Sequence, residues 1–248
     1  MQQVQSVRNI FLITVLLAMF WSSSCKKEGA KKNNEPIPLI KTITDKETGY
    51  AYIAAYTYDA QKRVVKTDDN GTINEYSYTP GKIRRTITQN ANNITVFEYE
   101  LNDKGLIKSL HRVGDAVQFF YEYNAEGFLI KSHDNQATQY SSTYYYNPDT
   151  GLLDSISATL GGAWHSSNVY SYYPDKANTI GNSNEGKSFL GKDGAHPVKK
   201  QTYRYRDNNT IRTQTVDFSY TFDDRGWIHS RSRTENGQTA EYFYTYYE

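Results

Sequence analysis

The clearest chemical motif in this sequence lies between residues 181 and 188. They read Gly-Asn-Ser-Asn-Glu-Gly-Lys-Ser, which fits the phosphate-binding pattern G-x-x-x-x-G-K-[ST]. That pattern holds a nucleotide only between a buried strand and a helix whose N-terminal amides bind the phosphates. Gly191, Gly194 and Pro197 follow closely and prevent such a helix. The sequence therefore predicts a polar surface loop here rather than a nucleotide site.

Other patterns of catalytic and metal-binding residues point the same way. The five histidines are not paired at the spacing of metal ligands. These histidines are His111, His133, His165, His196 and His229. The sequence contains no G-x-S-x-G motif, and its Asp-rich segments match turns rather than an EF-hand. We therefore predict no enzyme activity, no catalytic residue, no metal ion and no cofactor.

Three large aromatic residues are candidates for ligand contact. Trp164 and Trp227 have tyrosine neighbours and could form a platform for a sugar ring. Phe189 lies in a long Gly- and Asn-rich segment, residues 174–197, and long loops in compact domains are often functional. Simple packing between hairpins is the alternative for each of the three.

Cys25 is the only cysteine, and its position suggests a different chemistry. An apolar run over residues 10–21 is followed by three serines and then this cysteine, an arrangement that resembles a lipobox. The resemblance implies that residues 1–24 are a signal peptide and that Cys25 becomes a lipid-carrying N-terminus anchored in a membrane. Ser22 stands where an aliphatic residue is commoner. An uncleaved anchor, or a cleaved signal with an incidental cysteine, remains the alternative.

The composition after the anchor indicates a tyrosine-rich β domain. The net charge is +1, which gives no reason to expect a nucleic-acid partner. The hydrophobic content is only 38%, but the chain has 23 tyrosines, whose rings can be buried while the hydroxyls stay hydrated. We predict a flexible basic tether over residues 25–48 and one repeat domain over residues 49–248.

A hairpin motif recurs through this domain. It consists of an aromatic residue, any residue, a second aromatic, Asp or Asn, and then Gly or Asn before an apolar pair. The clearest copies occupy residues 121–129 and 220–228, and residues 99–107 are a third copy. Asp or Asn opens a turn, and Gly or Asn takes the left-handed position that closes it. The spacing predicts an all-β antiparallel meander of about 14 to 16 strands, as an open curved sheet or an incomplete barrel.

The motif also resembles known repeats. Tyr56-Thr57-Tyr58-Asp59, with Asn70-Gly71 and Tyr76-Ser77-Tyr78 after it, is similar to a YD repeat of the RHS type. The whole mature chain resembles a family of small uncharacterised bacterial lipoproteins with tyrosine-rich hairpin repeats and a porin-like fold. The resemblance implies an architecture and carries no activity with it.

These observations predict a lipid-anchored protein of the cell envelope, located at the outer membrane on its periplasmic face or at the cell surface. The expected function is non-enzymatic binding of a glycan, a peptide or an envelope partner, in addition to the membrane contact through Cys25. A purely structural spacer is the alternative, and a membrane-inserted barrel is a weaker one, because aliphatic residues are scarce at alternate strand positions.

Overall fold

The computed structural model describes residues 38–47, 50–90, 93–208 and 210–248, so the predicted signal peptide and Cys25 lie outside the described residues. The described part contains sixteen β-strands and a one-turn 3₁₀ helix at Ser188–Leu190. The strands are β1 Ile40–Glu47, β2 Tyr50–Tyr58, β3 Val64–Asp69, β4 Thr72–Thr79, β5 Lys82–Asn90, β6 Asn93–Leu101, β7 Ile107–Arg112, β8 Gln118–Tyr123, β9 Leu129–Asp134, β10 Tyr140–Tyr146, β11 Leu153–Leu160, β12 Ala163–Tyr172, β13 Val198–Asp207, β14 Thr210–Phe222, β15 Ile228–Glu235 and β16 Gln238–Tyr246.

The sheet closes on itself as a barrel. Each strand pairs antiparallel with the next, and β1 pairs with both β2 and β16. The prediction of an open sheet or an incomplete barrel is therefore wrong, although the all-β antiparallel class is shown. Closure depends on β1, whose residues 40–47 fall in the range that had been assigned to the tether. Ile43 lies opposite both Tyr244 and Ala54, so this strand joins the two ends of the meander.

Both tyrosines of a motif point into the barrel, because residues two apart in a strand share a face. Tyr76, for example, lies opposite Arg85 on β5, and Tyr78 lies opposite Ile83. Tyr76 is 9% exposed and Ile83 is 1% exposed, whereas Ser77 between the two tyrosines is exposed. The barrel interior is consequently lined by aromatic rings and a smaller set of aliphatic side chains.

The outer wall carries mainly polar side chains. Arg84 on β5 and Glu98 on β6 form an ion pair of 2.9 Å there, and Lys131 and Glu122 form another of 3.4 Å. Hydroxyl side chains face outward along the strands from β11 to β15, at Ser155, Ser157, Thr159, Ser167, Ser171, Thr213, Thr215, Ser219, Thr221, Ser230, Ser232 and Thr234. Among the described residues, no helix is long and apolar enough to cross a membrane.

The two ends of the barrel differ. The motif turns lie at one end, which we call the motif end, and include residues 59–63, 102–106, 124–128 and 223–227. The short returns, such as residues 70–71 and 236–237, lie at the other end. Inward-facing side chains near that second end are exposed by 38–43%, namely Tyr52, Phe119, Tyr140 and Leu160. Water therefore reaches the interior from this end, which we call the mouth.

Candidate functional site

The segment between β12 and β13, residues 173–197, folds into the motif end of the barrel, and we call it the plug. Its backbone is bonded to the wall at separate points around the circumference. The amide of Ile40 donates to the Asn184 carbonyl at 2.9 Å, and the amide of Val64 donates to the Gly186 carbonyl at 3.1 Å. On another side, the Lys192 amide donates to the carbonyl of Gly127 at 3.0 Å. These bonds fix the plug in place.

Phe189 anchors the plug in the core. Its ring is 8% exposed and lies 6.1 to 6.4 Å, between ring centroids, from the rings of Tyr76, Tyr78 and Tyr99. On the opposite wall, buried Thr179 accepts a bond of 2.8 Å from the Ile228 amide. Apolar and polar contacts thus hold the plug from two sides of the barrel.

The phosphate-binding pattern is explained by this packing. A Cβ on Gly186 would lie 2.6 Å from the Tyr58 ring, and the residue has a φ of +68°, so glycine is required. Lys187 pairs with Glu185 at 2.5 Å instead of pointing into a loop of free amides. Only a one-turn 3₁₀ helix follows. The prediction of a surface loop is wrong for Asn184 and Gly186, which are buried against the barrel wall.

A cavity of about 390 Å³ lies between the plug and the wall formed by β9 to β15. Its wall presents five tyrosine side chains, namely Tyr144, Tyr146, Tyr170, Tyr172 and Tyr220. Arg231 on β15 adds a positive charge, and the plug contributes Lys192, Asp193 and His196. Aromatic faces combined with a few polar groups are typical of small-ligand sites.

The phenol groups in this cavity are of two kinds. Tyr146 and Tyr172 donate their hydroxyls to the carbonyls of Leu129 and Leu153, at 2.9 and 2.7 Å. Tyr170, in contrast, has no hydrogen-bond partner for its hydroxyl within the described part of the chain. Burial raises the pKa of Tyr170 to about 12, so this hydroxyl stays neutral and is free to donate to, or accept from, a ligand.

Asp193 is the carboxylate of the plug that reaches the cavity. The backbone amide of Asn182 donates a hydrogen bond to it. Desolvation by the surrounding residues raises the pKa of Asp193 to about 6, although the residue keeps contact with solvent, and the nearby Glu185 carboxylate acts in the same direction. Gly181 makes room for this side chain, because a Cβ there would lie 2.5 Å from the Asp193 Oδ2 atom.

The three aromatic residues predicted as ligand contacts lie in three different places. Trp164 is on the outer wall, where Arg206 lies 5.8 Å from its ring centroid. Trp227 is in a turn at the motif end and packs against Tyr246 with 5.2 Å between centroids. Phe189 is in the plug core. The structure therefore does not bring the three residues together.

Sequence reasoning missed the tyrosines of the cavity wall as site residues. The signal was available, because the two aromatics of each motif must share a face and a closed sheet turns that face inward. Across the described ranges, no three His, Cys, Asp or Glu side chains cluster as they would around a metal ion.

Comparison with known proteins identifies the fold. No family model and no curated protein matches this sequence. Among solved structures, a porin-like protein from Bacteroides uniformis aligns with a TM-score of 0.62 and 17% identity, over 86% of this chain and 99% of that one. A porin-like protein from Bacteroides vulgatus aligns with a TM-score of 0.59 and 14% identity, over 85% and 99% of the two chains. The barrel architecture is therefore shared with these proteins.

Proposed function

We propose that this chain is an exported cell-envelope protein, anchored by a lipid on Cys25, whose barrel binds a small glycan in the cavity beside the plug without catalysing a reaction. The observation that carries the proposal is the cavity itself. Its volume of about 390 Å³ lies within the roughly 300–1,000 Å³ that is typical of small-ligand pockets. Its position between a fixed plug and a wall of tyrosines gives a ligand preformed contacts.

The chemistry of the wall favours a sugar among small ligands. A sugar ring has apolar C–H faces that stack on aromatic rings and hydroxyls that both donate and accept hydrogen bonds. The rings of Tyr144, Tyr170 and Tyr220 supply the first kind of contact. The free Tyr170 hydroxyl and the amide side chains of Asn178 and Asn182 supply the second.

The outer wall supports a barrel that stands in water. A barrel embedded in lipid presents an apolar band about 25 Å tall to the hydrocarbon. Here charged pairs and hydroxyl side chains occupy the outward positions. The apolar residues on this wall are interrupted by polar ones, as where Thr88 lies between Ile73 and Ile94. We therefore favour an aqueous barrel over the membrane-inserted alternative.

The cell-envelope location rests on two supports. The start of the chain resembles a lipoprotein signal ending at Cys25. The solved structures with the same architecture are porin-like proteins from Bacteroides. Both agree with an outer-membrane location for this chain.

Adjacent tyrosines on β10 provide the test. Tyr144 lines the cavity, whereas Tyr145 is 52% exposed on the outer wall. After a glycan array has identified a binding sugar, isothermal titration should show binding at least about tenfold weaker for Tyr144→Ala, because a lost ring contact of about 1.4 kcal/mol corresponds to that factor. Tyr145→Ala should bind like the wild type.

Equal affinities for the two variants would place the sugar outside the cavity. If the mature protein bound no sugar on the array, the binding proposal would be abandoned in favour of the structural spacer. Both variants should first be compared by thermal unfolding, so that a folding defect is not taken for a loss of binding.

A further inference from the structure

One arginine inside the barrel differs from the others. Five arginines of the described strands face inward, namely Arg85, Arg112, Arg212, Arg231 and Arg233. Four of them contact an oxygen of a neighbouring side chain; the pairs are Arg85 with Asn74, Arg112 with Asp115, Arg212 with Asp207 and Arg233 with Glu235. Arg231 makes no hydrogen bond or ion pair with any described residue, and its Nε atom is buried without a partner.

Arg231 is held in position by an aromatic ring. Its guanidinium lies 4.4 Å from the centroid of the Tyr242 ring, which is directly opposite on β16. On its other side, Arg231 lies opposite Tyr220 of β14, and it lines the cavity beside the plug. Stacking on a ring leaves the edge of the guanidinium, with its N–H donors, available for an acceptor.

The Asp45 carboxylate does not neutralise Arg231. Tyr242 of β16 pairs with Arg231 of β15 on one side and with Asp45 of β1 on the other, so the tyrosine separates the two charges. The Oδ1 atom of Asp45 is also buried without a hydrogen-bond donor among the described residues. Glu185 of the plug is already paired with Lys187.

Arg231 is available to an external partner. Its side chain is only partly buried, the guanidinium is charged at any physiological pH, and the buried Nε–H has no acceptor among the described residues, which is unfavourable. A carboxylate is the best complement, because its two oxygens match two parallel N–H donors of the guanidinium. The Asp193 carboxylate and the free Tyr170 hydroxyl in the same cavity would bond to hydroxyl groups of the same ligand.

We propose that Arg231 recognises the carboxylate of the luminal ligand, and that the ligand is a small ring bearing both a carboxylate and hydroxyls, which is the chemistry of an acidic sugar. This inference rests on the proposed binding function and narrows it. Arg231 contacts the carboxylate, the tyrosines contact the ring, and the plug contacts the hydroxyls.

The test uses three probes and a matched pair of arginines on one strand. D-galacturonic acid carries the carboxylate and the hydroxyls, D-galactose lacks the carboxylate, and benzoate lacks the hydroxyls. Titrations at low salt with wild-type protein should show galacturonic acid binding at least about tenfold more tightly than galactose. Arg231→Gln should abolish this difference. Arg233→Gln, which removes an arginine already paired with Glu235, should retain it.

Two further measurements keep the result interpretable. Arg231→Gln should unfold at the same temperature as the wild type or a higher one, because it removes a buried Nε–H that has no acceptor. Arg231→Lys keeps the charge but loses the planar guanidinium with its two parallel N–H donors, so this variant should bind galacturonic acid with intermediate affinity.

The outcomes separate this inference from the proposed function. If galactose binds as tightly as galacturonic acid, or if Arg231→Gln preserves the preference, the role of Arg231 is disproved and glycan binding stands. If benzoate alone binds and depends on Arg231, the carboxylate site stands and the sugar assignment fails. If no probe binds, the inference is overturned, and the glycan array with Tyr144→Ala decides the broader proposal.

Discussion

The second tyrosine of each motif ties neighbouring hairpins together through its hydroxyl. Five of these tyrosines donate to the carbonyl of the first residue of the preceding strand, at 2.6 to 2.9 Å. The pairs are Tyr58 with Ile40, Tyr78 with Val64, Tyr146 with Leu129, Tyr172 with Leu153 and Tyr246 with Ile228. This repeated bond explains why the chain uses tyrosine far more than phenylalanine.

The sequence predicted the repeat but not this bond. The Y-x-Y spacing indicates that two rings share a face, which is a property of any strand. The hydroxyl partner lies 14 to 19 residues earlier in the chain, on the preceding hairpin. Its identity depends on a bulge that shifts the register just before the turn, as between Thr57 and Tyr58, and no residue pattern specifies that bulge.

Asp193 should make the stability of the plug depend on pH. Its pKa is raised from 3.8 to about 6, so the folded state favours the protonated form. The contribution of Asp193 to the stability of the folded state is therefore fully present below pH 3.8, and it is lost as the pH rises through 6. We expect Asp193→Asn to be more stable than the wild type at pH 7.5, by about 1 kcal/mol after solvent screening, and the difference to disappear towards pH 4.

Urea unfolding followed at pH 4, 6 and 7.5 measures this difference. The control is Asp175→Asn, since Asp175 is a plug carboxylate outside the cavity that pairs with Lys176 at 3.7 Å. A constant difference between Asp193→Asn and wild type across the pH series would show that Asp193 does not titrate as described.

At the scale of elements, the motif turns are the part that the sequence predicted best. The Asp223 side chain accepts hydrogen bonds from the amides of Arg225 and Trp227, and Gly226 has a φ of +78°. In the first copy, Lys62 takes the left-handed position with a φ of +63°. Local hydrogen bonding decides such turns, so a single sequence contains the information.

The plug could not be predicted in the same way. Its sequence is polar and rich in Gly and Asn, which is the composition of an exposed loop. Its burial comes from contacts with strands far away in the chain, such as those of Asn184 with Ile40 and of Thr179 with Ile228. Because this composition predicts a loop outside the fold, it gives no indication of the cavity beside the plug.

Gly186 should be the most sensitive glycine of the plug. Gly186→Ala places a methyl group 2.6 Å from the Tyr58 ring and 2.7 Å from the Val64 amide nitrogen, in addition to the unfavourable positive φ. We expect a loss of about 3 kcal/mol in the free energy of unfolding. Gly226→Ala has a similar φ but nothing within 4 Å of the added carbon, so it should lose about 1 kcal/mol.

Urea titration of the two variants gives both values under one condition. Equal losses would show that the plug yields easily around Gly186, which would contradict the close packing against Tyr58 and Val64.

At the scale of the whole molecule, the sequence predicted strands and alternation but not closure. The range of about 14 to 16 strands includes the observed sixteen. Whether a meander closes depends on the pairing of its first and last strands, and β1 is a weak strand by composition, with Lys, Thr, Asp and Glu among its eight residues. Its pairing with β16 involves residues about 200 positions apart, which no local pattern reports.

The polar outer wall predicts how the protein fractionates. We expect the full-length chain to be recovered with membranes and to be released by carbonate when Cys25→Ala removes the lipidation site, because charged pairs such as Arg84 with Glu98 are costly in hydrocarbon. Immunoblots of the membrane and soluble fractions measure this. Retention of the Cys25→Ala protein in the carbonate-washed pellet would instead support a barrel inserted in the membrane.

The attachment of the plug around the barrel wall also determines how molecules can pass through this fold. A pore conducts because solute enters at one end and leaves at the other, whereas here backbone bonds to Ile40, Val64 and Gly127 hold the plug across one end. A segment fixed in this way obstructs straight passage through the barrel, so the proposed function is one of retention rather than conduction.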